Sequence, residues 1–186
     1  CLRDLCYRLK RFHYQYVHYE SGDERGIDVA LLYDSTKVKV LDSKPLRVDL
    51  NEDNTRDILY VKTLLHERDT LHVMVCHLPS RLGGGAATEW KRLKAKQVIQ
   101  QQIDSVLHYQ PQAQIVIMGD MNDEAKNDLS GMSNQMIAME RVGQGTHKYQ
   151  GIWSCLDQFY VSEKMKERCV VQIYSPEWLL EEDTKY

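Results

Sequence analysis

The stretch QIVIMGDMND, Gln114 to Asp123, runs an apolar segment, Ile115 to Met118, into Gly119 and then sets Asp120, Asn122 and Asp123 at its mouth. Carboxylate and carboxamide oxygens are hard donors that suit Mg²⁺ or Mn²⁺ and can orient a water molecule. The same residue types after a strand also stabilise ordinary turns through side-chain to backbone bonds, so this segment alone leaves both readings open. Asp120, Asn122 and Glu124 alternate as calcium-loop ligands do. Ala125 nevertheless replaces the turn glycine and Gly131 stands where the bidentate Glu belongs, which argues against an EF-hand.

Three other segments carry chemistry of the same kind. HVMVCHLPSR delivers His77 at the end of an apolar run, followed by Ser80, Arg81 and the triplet Gly83-Gly84-Gly85. Histidine can donate to an anionic oxygen, arginine can grip one bidentately, and glycines let backbone approach closely; a flexible loop with a hydrogen-bonded His is the plainer alternative. Upstream, DERGIDVALLY places Arg25 before a strand, as a phosphate contact or as a solvated turn residue. In LDQFYVS, Asp157 interrupts an apolar strand. A buried carboxylate needs a partner, so a histidine beside it is expected.

These residues need strand ends to hold them. LRDLCYRLKRF spaces Leu2, Leu5, Cys6, Leu9 and Phe12 as an amphipathic helix ending before His13. YQYVHYE, IDVALLY, KVKVL, DILYVKTLL and LHVMVCHL are rich in Val, Ile, Leu and Tyr between turn clusters and predict strands. Their short connections make them antiparallel. ATEWKRLKAKQVIQQQIDSVLHY predicts a helix over 87–109, with Thr88 as N-cap, Trp90, Leu93, Val98, Ile103, Val106 and Leu107 as its apolar stripe, and Pro111 beyond its end. Lys91, Arg92, Lys94 and Lys96 give its first turns a basic side, read as an exposed helix face, with a cleft rim that tracks a nucleic-acid backbone as the alternative. QIVIM, LDQFYVS and CVVQIYS predict further strands, and 126–145 shows no clear period. The order implies a single α/β (α+β) domain over 1–186, antiparallel sheets packed face to face with helices outside.

The chain has 186 residues, enough for one domain with a core, and a formal net charge of -3, so no global basic field drives nucleic-acid binding. No apolar run approaches a membrane span. Five cysteines without a C-x-x-C pair read as buried or free thiols, neither a disulfide framework nor a zinc site. The first residue is Cys1, and the chain is expected to be a piece of a longer protein; compartment is not legible from it.

Taken in order, GDMND, CHLPSR, LDQFYVS and ERGIDVALLYD resemble the endonuclease/exonuclease/phosphatase superfamily, the deoxyribonuclease I-like fold, from about Tyr14 to about Ser175. ERGIDVALLYD is similar to bacterial members in particular. The resemblance implies a two-sheet sandwich and a metal-dependent phosphoesterase that hydrolyses phosphodiesters or phosphomonoesters with an activated water. It implies Asp120 and Asn122 as metal and water ligands, and His77 as a donor to a non-bridging phosphate oxygen. Asp157 would orient a catalytic histidine, and Arg25 and Arg81 would contact phosphate. Mg²⁺ or Mn²⁺ is the implied cofactor, and a phosphate ester, DNA or RNA among the options, the implied partner; no protein partner is implied.

Two departures stand out. The superfamily places an Asn near its first strand and a metal-binding Glu on the next, both upstream of the region where this chain starts, and an S-D-H segment downstream that EWLLEEDTKY does not contain. The sandwich is therefore expected to be incomplete at both termini, and the isolated chain to be weak or inactive. A non-catalytic module that binds a phosphate ligand on the same fold is the alternative. Trp153 and Tyr149 are candidates for stacking on a base or sugar, against core packing as the commoner fate of such a Trp.

Overall fold

The computed structural model describes residues 1–51, 53–176 and 178. Its centre is a six-stranded sheet built from β3 (Val38–Leu46), β4 (Ile58–Leu65), β5 (Asp69–His77), β6 (Gln114–Asp120), β7 (Met132–Asn134) and β10 (Asp157–Ser162), in the order β3-β4-β5-β6-β10-β7. A ribbon of β1 (Tyr14–His18) and β2 (Ala30–Asp34) and a second ribbon of β8 (His147–Tyr149) and β9 (Ile152–Ser154) stand apart from it. The helices are α1 (Leu2–Arg8), α2 (Gly85–Tyr109), α3 (Ile137–Arg141) and α4 (Glu163–Lys166), with a 3₁₀ turn at Lys10–Phe12.

β3, β4 and β5 form an antiparallel meander, whereas β5 and β6 run parallel. A parallel neighbour needs a crossover, and α2 supplies it. Alternate residues then divide the sheet into two apolar faces. Ile58, Tyr60, Met74, Cys76, Ile115, Ile117 and Tyr160 pack with Ala95, Ile99, Ile103 and Val106 of α2 in the main core. Leu59, Val61 and Val73 face the other way and are covered by Leu31 of β2, with Val17 of β1 beside it. The expected layering is thus present: the β1–β2 ribbon forms the second layer on one face, and the long helix packs on the other.

Several expectations need correction. CVVQIYS forms no strand among the described residues; β10 pairs along one side with β6 and, at Tyr160 to Ser162, with β7 on the other. The unassigned stretch 126–145 contains β7 and α3, both too short to show a period. The long helix starts at Gly85 with Gly84 as N-cap; Thr88 lies inside its first turn and donates from Oγ1 to the Gly84 carbonyl at 3.0 Å. Its buried stripe is Arg92, Ala95, Lys96, Ile99, Ile103 and Val106, while Trp90 and Leu93 are exposed. The basic face therefore splits, with Arg92 and Lys96 turned inward. α1 forms as expected, but none of its residues is buried.

Candidate active site at the strand ends

The parallel register of β5 and β6 sets His77 directly beside Asp120. The imidazole Nε2 stands 3.7 Å from Asp120 Oδ2, with about a third of each side chain exposed. On the far side of β6, the antiparallel register places Asp157 opposite Asp120. Three of the four residues expected to carry chemistry therefore lie side by side at one edge of the sheet.

The fourth, Asn122, closes the turn after β6. Asp120 Oδ1 accepts from the Asn122 N–H at 2.8 Å, and Asn122 Nδ2 donates to the Leu78 carbonyl at 3.0 Å. Asn122 takes φ of 49°, a left-handed conformation that Asn tolerates better than most side chains. Leu78 in turn donates its N–H to the Asp120 carbonyl at 2.9 Å. The segments after β5 and β6 are thereby laced together, and the turn reading and the site reading of this pentapeptide describe one structure.

Beneath them lies Arg56, a residue that pattern reading passed over. It is buried, and it donates from Nε to the His77 carbonyl at 2.8 Å, from Nη2 to the Leu78 carbonyl at 3.0 Å and from Nη1 to Asp23 Oδ2 at 2.8 Å. Buried arginine is rare unless paired. The sequence signal was a charge immediately before the apolar strand 58–65, which alone looks like a solvated flank.

The electrostatics follow from this packing. Burial pushes the His77 pKa down and the nearby Arg56 charge adds to it, against the opposing pull of Asp120. Burial pushes Asp120 up, opposed by the Asn122 N–H and by His77, with Asp157 adding to the rise. A neutral imidazole beside a desolvated carboxylate results. Such a carboxylate gains from a cation that replaces its lost water.

Arg25 and Arg81 are placed differently from free phosphate contacts. Arg25 bonds Asp23 through Nε at 3.2 Å and Nη2 at 3.1 Å, and remains largely exposed. Arg81 donates to the Asn122 carbonyl at 3.1 Å and to Asp123 Oδ1 at 3.0 Å. The glycine triplet works as a turn: Gly83 and Gly84 take φ of 92° and 109° and lead into α2.

Asp157 departs from its expectation of burial. It is exposed, at the first position of β10, because that strand begins at the sheet edge before the core closes over it. It lines a cavity of about 680 Å³ with Thr146, Trp153, Gln172 and Tyr174. Trp153 and Tyr149 are exposed as well, so core packing does not describe them.

The donor set suits a hard divalent ion. Asp120 and Asp157 flank each other across two strands, and Asn122 follows in the turn with its N–H bonded to Asp120 Oδ1. Mg²⁺ is commonly held by one or two carboxylates with water and substrate phosphate completing its shell. Among the described residues, these side chains do not form a closed cluster of three His, Cys, Asp or Glu ligands.

Comparison with known proteins agrees with this architecture. The chain resembles the human Nocturnin catalytic domain, solved with bound sulfate, at 16% identity and a TM-score of 0.66 over 86% of this chain and 64% of that one. D. rerio TDP2, solved in complex with a single strand DNA product, gives 16% identity and a TM-score of 0.61 over 87% and 68%. An endonuclease/exonuclease/phosphatase family protein from Bacteroides thetaiotaomicron gives 11% and 0.59 over 87% and 65%. This chain therefore spans about two thirds of each of these structures, and at such identities the likeness is one of fold. No curated protein matches the sequence. The family model described as Endonuclease/Exonuclease/phosphatase family matches residues 2–186. With that match running almost end to end, over a fold that aligns His77, Asp120 and Asp157 on adjacent strands, the chain belongs to the endonuclease/exonuclease/phosphatase family.

Proposed function

We propose that the chain is the phosphoesterase domain of a divalent-metal-dependent hydrolase. The observation that carries this reading is the alignment of His77, Asp120 and Asp157 across three adjacent strands, braced from below by Arg56. His77, neutral and about a third exposed, donates to a non-bridging phosphate oxygen and stabilises the charge that grows there in the transition state. Asp120 accepts a proton of the attacking water and so orients its lone pair. Asn122 fixes the turn that aims Asp120, and its amide oxygen is the second candidate metal ligand. Asp157, exposed beside Asp120, adds a carboxylate to the same strand ends. Arg25 and Arg81 contribute positive potential at the rim, each already engaged with an aspartate. Mg²⁺ or Mn²⁺, held by Asp120 and Asn122, would supply Lewis-acid activation of phosphate and water.

The substrate class is a phosphate ester. The solved relatives named above with sulfate and with single strand DNA product support an anionic phosphate-like group in the cleft. The deciding experiment offers a generic phosphodiester, single-stranded DNA, RNA and a phosphomonoester to the protein that contains this chain, with Mg²⁺ or Mn²⁺. Turnover on at least one substrate is expected, abolished by chelation and reduced at least ~10³-fold in Asp120→Ala. Phosphate-ester binding without turnover, in folded and metal-loaded protein, would replace this reading with a non-catalytic binding module.

A further inference from the structure

A second set of metal-binding side chains lies on the β1–β2 ribbon and plays no part in the site above. The ribbon pairs Tyr14 with Asp34 through to His18 with Ala30. Carried two residues further, this register sets Glu20 opposite Asp28, and the strand period of two puts His18 and Glu20 on one face. His18, Glu20 and Asp28 accordingly each offer a ligand atom, and all of these lie within 4.8 Å of one another.

The spacing is that of ligands around an ion. His18 Nε2 stands 3.6 Å from Asp28 Oδ2, too far for a hydrogen bond. Two donors each about 2.1 Å from a Zn²⁺ are about 3.4 Å apart at a tetrahedral angle. Asp28 is held for the task, because its other oxygen, Oδ1, accepts from the backbone N–H of Ser21 at 2.9 Å and from the Ser21 hydroxyl. That leaves Oδ2 on the histidine side, with only 9% of the side chain exposed. Glu20 is exposed and free to swing in as the last ligand. Among the described residues, no Lys or Arg forms an ion pair with Glu20 or Asp28, so their charge is not spent on a neighbouring cation.

From this geometry we infer that His18, Glu20 and Asp28 bind a divalent transition ion, Zn²⁺ first, at a site separate from the catalytic edge. One imidazole with two carboxylates is a borderline donor set; Mg²⁺ and Ca²⁺ prefer oxygen alone. The charges acting on His77 and Asp120 come from Arg56, Arg25, Asp23, Asp157 and from each other, none of them in this trio. An ion here clips the end of β1 to the lead-in of β2 and so secures the layer that covers one face of the central sheet.

The test is calorimetric titration of chelator-treated protein with Zn²⁺, repeated on Glu20→Gln, His18→Gln and Asp120→Asn, with thermal midpoints recorded with and without the ion. Glu20 is exposed, so Glu20→Gln keeps the fold and carries the test even if His18→Gln does not. One equivalent of Zn²⁺ is expected to bind, to raise the midpoint, and to bind at least tenfold more weakly in Glu20→Gln and His18→Gln, with Asp120→Asn unchanged. Replacement by Co²⁺ should give a visible spectrum without thiolate charge transfer, which separates the trio from the free cysteines. Zn²⁺ binding unaffected by Glu20→Gln, a thiolate band, or no binding at all would overturn the inference. Loss of binding in Asp120→Asn alone would also overturn it, while leaving the phosphoesterase reading standing.

Discussion

Asp23 shows how much a single side chain can hold at this site. It receives Arg25 from one side and the buried Arg56 from the other. The bond from Arg25 is the largest influence on it, and with the Arg56 charge it outweighs burial and lowers the Asp23 pKa from 3.8 to about 2. A folded pKa below the unfolded one means that the unfolded chain binds more protons in the interval between them. The resulting stability is complete above about pH 4 and is lost as pH falls through about 2. Asp23→Asn should therefore flatten this part of the acid limb in urea titrations between pH 5 and 2, and should cost about 3 kcal/mol at pH 7 by leaving Arg56 buried without its counter-ion. An unchanged acid limb would mean that Asp23 does not carry it. Residues of this kind are hard to read in one dimension. Asp120, Asn122 and His77 were legible because each follows an apolar run, whereas Arg56 and Asp23 meet only through the fold, 33 positions apart. Asp157 was legible as a site residue but not in its burial, which depends on where the sheet ends.

Strands carried the most readable signal. The period of two located β1 to β6 and β10 because each has one or both faces against a core, which fixes alternation. It failed for 169–175, where the alternating run joins no sheet among the described residues. The helix stripe failed in another way: Arg92 and Lys96 occupy core-facing positions because the loops after β5 and β6 bring the Pro79 and Ser80 carbonyls to the first and the Asp123 and Asp128 carboxylates to the second. Gly119 shows what element packing requires. It lies in β6 opposite Cys76 of β5 with φ of 134°, and a Cβ there would stand 1.9 Å from the Cys76 carbonyl oxygen. Backbone cannot yield as a flexible side chain does, so the strands would have to part where His77 meets Asp120. Gly119→Ala should cost at least about 3 kcal/mol in denaturant unfolding. An alanine variant of native stability would show that the β5–β6 contact is looser than its geometry.

At the scale of the whole molecule, the turn after β6 is tied to α2, β10 and β7 by one polar network. Lys96 of α2 donates from Nζ to Asp123 Oδ2 at 3.1 Å and to Asp128 Oδ2 at 2.5 Å. The Tyr160 hydroxyl of β10 donates to Asp128 Oδ1 at 2.9 Å, and Gln158 Nε2 donates to the Asp123 carbonyl at 2.7 Å. Asn134 of β7 reaches Gln158 Oε1 through Nδ2 at 2.9 Å. Helix, strand-end turn and two strands thus share charges that lie largely out of water. Burial pushes Asp123 up, but its bonds to Lys96 and Arg81 prevail and its pKa is lowered overall. Groups bound this closely do not contribute independently. Lys96→Met leaves Asp128 without a cation and Asp123 with Arg81 alone, and should cost about 3 kcal/mol. Asp128→Asn alone should cost less, since Lys96 keeps Asp123. In the double variant Asp128 no longer brings a charge, so its cost should fall short of the sum by about 1–2 kcal/mol. A complete double-mutant cycle from urea unfolding measures that shortfall. Strict additivity would mean that Lys96 and Asp128 act separately, and that α2 holds the turn after β6 through its apolar face alone.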